Sequence, residues 1–197
     1  MSVGVSQSAA RVVGQLIEAL ALYGPVRFKE RDLSECTVRA ATLADAEAIC
    51  AIYGFYVRTT SHNFEYEAPD AVEIAGRMQA VFNAGLPYLI AEVNGRVVGF
   101  AYASQFRPRP AYRFAVESSV YIDKDWRGRG VGHRLLVTLM DRCREAGATQ
   151  MIAGMGGDHP VSIAFHAGHG FEVVGVMRKV GFKFDQWLDL TLMQREL

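Results

Sequence analysis

The stretch WRGRGVGHRL, residues Trp126 to Leu135, sets Gly128, Gly130 and Gly132 at alternate positions among Arg127, Arg129 and Arg134, then turns apolar at helical spacing. A helix start leaves its first backbone N–H groups outside the helical ladder and carries roughly half a positive charge. Phosphate binds there if the backbone can be approached closely, which glycine allows. The stretch reads as a cradle for a pyrophosphate; a bare glycine turn with solvated arginines is the alternative. Two other phosphate loops fail on spacing. A P-loop needs Lys and Ser or Thr after its last glycine, where His133-Arg134 stands, and the dinucleotide fingerprint needs its third glycine at position 133.

The flanking patterns predict alternating elements. TVRAAT (37–42) is a short strand, and Asp45 to Arg58 is a helix with apolar Ile49, Ile52, Tyr53 and Tyr56 on one face. Pro69-Asp70 opens a second helix, to about Asn83. LPYLIAEV and VVGFAYASQF are strands joined by Asn94-Gly95, a strong hairpin signal, and YRFAVESSVYI from Tyr112 is a third. After the glycine stretch come a helix to about Glu145, the strand TQMIAGM, a helix from Pro160 to Ala167, and the strands FEVVGVMRKV and WLDLTLMQREL. This order predicts a mixed α/β sheet with helices on both faces.

The 197 residues suit one domain with a full core. Residues 1 to 36 stand apart as an N-terminal extension, with an apolar helical stretch from Val12 to Tyr23, a Gly24-Pro25 break and a charged KERD run. It is either a loosely docked helix or one that binds a partner. The 21 basic side chains equal the 21 acidic ones, so no overall field draws nucleic acid or a membrane surface. Cys36, Cys50 and Cys143 form no CxxC pair, and no apolar run or basic leader suggests a span or signal peptide, so a cytoplasmic protein is expected. His62 and His133 lack the spacing of metal ligands, and no metal is expected.

Five segments, SHNFEYEAP, GLPYLIAEVNGRVVGFAYAS, FRPRPAYRFAVESSVYI, SIAFHAGHGF and GFKFDQWLDLTLMQ, together with the Arg127, Gly130 and Gly132 loop pattern, resemble the GCN5-related N-acetyltransferase (GNAT) superfamily, in its phosphinothricin and methionine sulfoximine acetyltransferase branch. The resemblance spans residues 37–197. It implies a sheet splayed at its middle, acetyl-coenzyme A as co-substrate and a homodimer. The pyrophosphate would lie on Arg127, Gly128, Arg129, Gly130, Val131, Gly132 and His133, and the pantetheine arm would pair with backbone groups of Val120, Tyr121 and Ile122, near His159 and Ser162. This chain departs from the family pattern at His159, where Asn is usual, and at Ala115, where the branch commonly has Thr.

Acetyl transfer from a thioester to an amine needs an unprotonated amine, a donor for the developing oxyanion and an outlet for the thiolate. Glu117, three residues before Val120, is the candidate base, and a backbone N–H near Tyr121 the candidate oxyanion donor. His166 matches the family's acid position; a hydrogen-bonded structural histidine is the alternative. His169 belongs to the turn that follows. Arg107, Arg109 and Arg113, with Tyr112 among them, could fork onto an acceptor carboxylate or be solvated loop arginines. Phe64 and Glu65 also match family positions, Phe64 as a pocket wall, and Trp187 reads as core or dimer packing. The expected reaction acetylates the α-amine of a small amino acid or analogue, such as methionine sulfoximine, methionine sulfone or phosphinothricin, by direct attack in a ternary complex. Another small amine, a peptide N-terminus, an antibiotic, or a non-catalytic acetyl-coenzyme A binder are the rivals.

Overall fold

The computed structural model describes residues 35–157 and 159–197; the reading of residues 1–34 as an extension with a helix lies outside the described residues. The strands are β1 (Cys36–Ala40), β2 (Tyr88–Val93), β3 (Arg96–Gln105), β4 (Ala115–Ile122), β5 (Gln150–Gly156), β6 (Glu172–Lys183) and β7 (Gln186–Glu196). The α-helices are α1 (Ala46–Thr59), α2 (Ala71–Asn83), α3 (Val131–Glu145) and α4 (Pro160–Ala167), as the sequence order predicts. The sheet is mixed α/β in class, with strand order β1-β2-β3-β4-β5-β7-β6. The described chain divides into a larger unit, residues 35–60, 65–152 and 196–197, and a smaller one, residues 61–64, 153–157 and 159–195.

In the larger unit β1 to β4 form an antiparallel meander. Asn94 and Gly95 both have positive φ, 50° and 75°, the backbone a two-residue hairpin turn requires. One sheet face puts Tyr88, Ile90 and Phe100 against Ile49, Ile52, Tyr53 and Tyr56 of α1 and Ile74, Met78 and Val81 of α2. The other meets α3, which buries Leu135, Leu136, Leu139, Met140 and Cys143; at Gly99 an added Cβ would stand 3.2 Å from Leu135 Cδ1. Asp70 caps α2 by accepting the Glu73 N–H at 2.8 Å. β4 starts at Ala115 rather than Tyr112, because Pro110–Tyr112 close a 3-10 turn through Tyr112 N–H to Arg109 O and Arg113 N–H to Pro110 O.

In the smaller unit β6 and β7 pair across Phe184-Asp185, both at positive φ. β6 runs past the predicted end at Val180 to Lys183, through a register shift between Met177 and Gly181. Asp189 pins this bulge, accepting Lys179 N–H at 2.9 Å and the Arg178 guanidinium at 3.0 Å. Trp187 is 64% exposed and lies against Phe182 with ring centroids 5.1 Å apart, which removes it from the core of this chain.

Candidate active site

Gly128 (φ 69°) and Gly130 (φ 94°) hold left-handed backbone at the head of α3, and Gly130 is its N-cap. Only glycine takes these angles without strain. The helical ladder begins with Arg134 N–H to Gly130 O, so the Val131 and Gly132 amides precede it and point out of the helix start. The Val131 side chain is in the core, leaving its backbone as the part that can meet a ligand. The arginines divide. Arg127 lies over Tyr56 at 4.9 Å, with Nε donating to Tyr56 Oη, and Arg129 lies over Trp126 at 4.7 Å. Arg134 turns to β1 and donates to Cys36 O at 2.8 Å. His133 is half-buried.

On β4 the bonds Phe106 N–H to Ala115 O and Asp123 N–H to Val98 O fix which residues turn their backbone toward β3. Antiparallel alternation makes these the odd-numbered ones, so Tyr121 spends its N–H and C=O on Phe100. The expected pairing of the pantetheine arm with Tyr121 backbone is therefore corrected, and the Tyr121 N–H is not the one left over for an oxyanion. Val120 and Ile122 present their backbone to the opposite edge, where Ile122 O accepts the Tyr56 hydroxyl at 2.6 Å. The Tyr121 ring stacks on Phe100 at 5.1 Å.

Glu117 shares a sheet face with Ser119 and Tyr121 and sits opposite Ser104. It is half-buried; burial raises its pKa, and the Arg107 charge opposes the rise. Arg107 is thus the one of the three sequence-picked arginines whose field acts on the carboxylate. It stacks over Phe106 at 4.5 Å, while Arg113 stacks over Phe114 at 4.1 Å; Arg109 and Tyr112 are exposed on the 3-10 turn. Glu65 Oε1 accepts Tyr53 Oη and Arg77 Nη1, each at 2.7 Å. Arg77 was not singled out from the sequence, where it reads as the helical i+4 partner of Glu73.

In the smaller unit Phe64 packs on backbone at Gly156 and Gly181, where an added Cβ would come within 2.6 Å of its ring. His159 precedes α4 and its ring meets that of His62, centroids 3.4 Å apart. His166 is 7% exposed, edge-on to Phe165 and Phe171, and its Nδ1–H donates to Ser162 O at 2.8 Å. Burial pulls its pKa down to about 4, against the Ser162 hydrogen bond. A neutral imidazole at physiological pH is a poor proton donor, which favours the structural alternative for His166 over the acid role. His169 Nδ1–H donates to Phe165 O at 2.7 Å within the turn, as its position predicts. Lys183 and Asn63 escaped the sequence reading: Lys183 is 2% exposed and its Nζ donates to Asn63 O at 3.2 Å and Oδ1 at 3.3 Å. Their one signal is a lysine between two phenylalanines in GFKFD.

Among the described residues no group of three or more His, Cys, Asp or Glu is placed to hold a metal ion, and no helix is long and apolar enough to cross a membrane.

The description "Acetyltransferase (GNAT) domain" belongs to the family model that matches residues 38–192. The chain belongs to the GNAT acetyltransferase family. This acetyltransferase is 48% identical over 163 residues to the phosphinothricin N-acetyltransferase of Alcaligenes faecalis, covering 82% of this chain and 83% of that one. It is 37% identical over 161 residues to the L-methionine sulfoximine/L-methionine sulfone acetyltransferase of Salmonella typhimurium, covering 82% and 94%. Among solved structures it is similar to a GNAT superfamily phosphinothricin acetyltransferase from Sinorhizobium meliloti in complex with acetyl-coenzyme A, with TM-score 0.80 and 44% identity, covering 83% and 89%. The acetyltransferase therefore stands close to the phosphinothricin and methionine sulfoximine N-acetyltransferases.

Proposed function

We propose that this acetyltransferase moves acetyl from acetyl-coenzyme A to the α-amine of a small amino acid or analogue of the phosphinothricin or methionine sulfoximine kind, by direct attack in a ternary complex. Support for the acceptor class comes from the relatives' substrates and, in this chain, from one observation. The Glu117 carboxyl and the Arg107 guanidinium act on each other at adjacent ends of β3 and β4. An α-amino acid carries an amine and a carboxylate on one carbon. Glu117 suits the first and the Arg107 fork the second.

Acetyl-coenzyme A supplies a thioester whose carbonyl carbon the amine attacks. The left-handed glycines and first-turn amides of α3 fit its pyrophosphate, since a Cβ added at Gly128 would meet nothing within 4 Å. Val120 and Ile122, on the outer edge of β4, serve the pantetheine arm, and one of their N–H groups the oxyanion. Glu117 takes the amine proton, and its raised pKa brings its basicity closer to that task. A thiol ionises near pH 8.5, so the thiolate can leave without a buried acid and collect its proton from solvent. Glu65 lines the acceptor side, with Tyr112, Arg109 and Arg113 at its exposed rim.

The active form on this reading is a cytoplasmic homodimer built on the domain 37–197. Apolar side chains exposed along β6 and β7, among them Met177, Phe182 and Trp187, suit a second copy. The test of the acceptor class compares kcat/KM for methionine sulfoximine and its decarboxylated amine. The amine is expected to be poorer by about 10- to 100-fold in the parent, and Arg107→Ala should narrow the gap. Equal efficiency in the parent rejects the amino-acid reading.

A further inference from the structure

The Tyr56 ring packs in the core of the larger unit, but its hydroxyl serves two other elements at once. The hydroxyl donates to Ile122 O at 2.6 Å and accepts the Arg127 Nε–H at 3.2 Å. A carbonyl only accepts and an Nε–H only donates, so the direction of this chain of bonds is fixed. The ring is held in place: it is 7% exposed and meets Phe55 and Tyr121 edge-on, with centroids 5.6 Å and 5.2 Å apart. Arg127, an exposed residue, lies over both Phe55 and Tyr56, 5.4 Å and 4.9 Å from their centroids. Between Ile122 and Arg127 the chain makes one tight turn, closed by Trp126 N–H to Asp123 O at 2.8 Å and by Asp125 N–H to the Asp123 carboxylate at 2.9 Å. One side chain of α1 thus clasps both ends of the turn that joins the outer edge of β4 to Gly128.

We infer that Tyr56, through its hydroxyl, is a positioning residue for acetyl-coenzyme A, setting the Arg127 guanidinium beside the pyrophosphate cradle in register with the β4 edge that takes the pantetheine arm. The inference rests on the cradle reading of Gly128 to His133 and deepens it: Arg127 spends its Nε–H on Tyr56, and its Nη–H groups meet the phosphate. A solvated arginine must be ordered when the coenzyme binds, whereas one seated on Phe55 and Tyr56 has lost that freedom beforehand. The gain falls on the nucleotide half of the coenzyme, since only that half carries the pyrophosphate.

The test uses the full-length protein in four forms, the parent, Tyr56→Phe, Arg127→Ala and the double variant, with two donors, acetyl-coenzyme A and S-acetylpantetheine, which lacks the nucleotide and its phosphates. By calorimetry Tyr56→Phe is expected to weaken acetyl-coenzyme A binding about tenfold, the scale of a hydrogen bond to a charged group, and to add less than about twofold where Arg127 is already replaced. In turnover with methionine sulfoximine, KM for acetyl-coenzyme A should rise by about the same factor with kcat little changed, while kcat/KM for S-acetylpantetheine stays within about twofold of the parent. The calorimetric series needs no acceptor and decides the inference whatever the acceptor class. Equal losses for the two donors, a full tenfold loss in the Arg127→Ala background, or unchanged affinity in Tyr56→Phe would each overturn it. If Gly130→Val also leaves acetyl-coenzyme A affinity unchanged, the cradle reading falls with it; a loss in Gly130→Val and none in Tyr56→Phe overturns the inference alone. Thermal melts accompany the series. Should Tyr56→Phe fail to fold, the exposed Arg127→Lys carries the comparison, since it keeps the charge but cannot bond Tyr56 and present a fork to phosphate at once. The same split between donors is then expected, and parent-like affinity overturns the inference.

Discussion

Glu117 in the larger unit and His166 in the smaller one are both ionisable groups taken partly or wholly out of water, and burial pushes each toward its neutral form. The chemical consequences run in opposite directions. For a carboxylate, a raised pKa makes a better base; for an imidazole, a pKa of about 4 removes the proton an acid must give. The same physical cause thus favours one catalytic assignment and weighs against the other. The partners agree with this division: Glu117 has the exposed Arg107 charge acting on it, while His166 is tied to its own helix at Ser162 O and walled by two phenylalanines.

The comparison breaks most sharply at Glu117. Glu117→Gln should lower kcat by about 100-fold or more while calorimetry finds acetyl-coenzyme A affinity unchanged. In the parent, activity should fall as pH drops through the Glu117 pKa, because the base is then protonated. Since burial raises that pKa, the fall should begin above the ordinary carboxylate range, and Arg107→Ala, which removes the opposing charge, should move it higher still. A kcat for Glu117→Gln equal to the parent's at every pH would exclude the base role.

How much of this was legible in the sequence follows from the range of the interactions involved. Local signals read well: Asn94-Gly95 needs positive φ at both residues and has it, Asp70 caps α2, and the glycine stretch opens α3. Period-2 and period-3.6 patterns located the four α-helices and the strands of the described residues to within a few residues. The misses are nonlocal or depend on one residue of register. Tyr121 lies in the segment the sequence picked out, yet whether its backbone faces β3 depends on pairing with Phe100, 21 positions earlier. Lys183 is buried because Asn63, 120 positions away, takes its ammonium, and no periodicity carries that information. Likewise nothing local in SIAFHAGHGF tells a buried His166 from an accessible one.

The glycine cradle offers a middle-sized effect. Gly130→Val puts a β-branched side chain at φ 94°, where L-residues are strained, and sets it at the N-cap of α3. Acetyl-coenzyme A affinity should weaken about tenfold or more by calorimetry, whereas Arg134→Ala, whose guanidinium bonds Cys36 O, should leave that affinity within about twofold. Equal affinity for the parent and Gly130→Val would remove the coenzyme from this loop.

The smallest catalytic effect is expected at His166, and there the comparison is sharpened by stability instead. His166→Asn can keep a donor near Ser162 O while abolishing the titration. If His166 is structural, kcat should stay within about threefold of the parent; a loss of about 100-fold would restore the acid role. The sign of the stability effect follows from linkage. The folded-state pKa, about 4, lies below the unfolded value of 6.5, so between these pH values the unfolded chain binds more protons and stability falls as pH drops. The neutral, buried form therefore contributes fully above pH 6.5, and that contribution is lost as pH falls toward 4. A shift of this size corresponds to on the order of 3 kcal/mol. Urea unfolding of the parent at pH 7.5 and pH 5 should show the loss, and His166→Asn, having no proton to gain at this site, should show a smaller one. The same pH dependence in both proteins would mean that His166 is accessible to solvent protons in the folded state, and the contrast with Glu117 would fall with it.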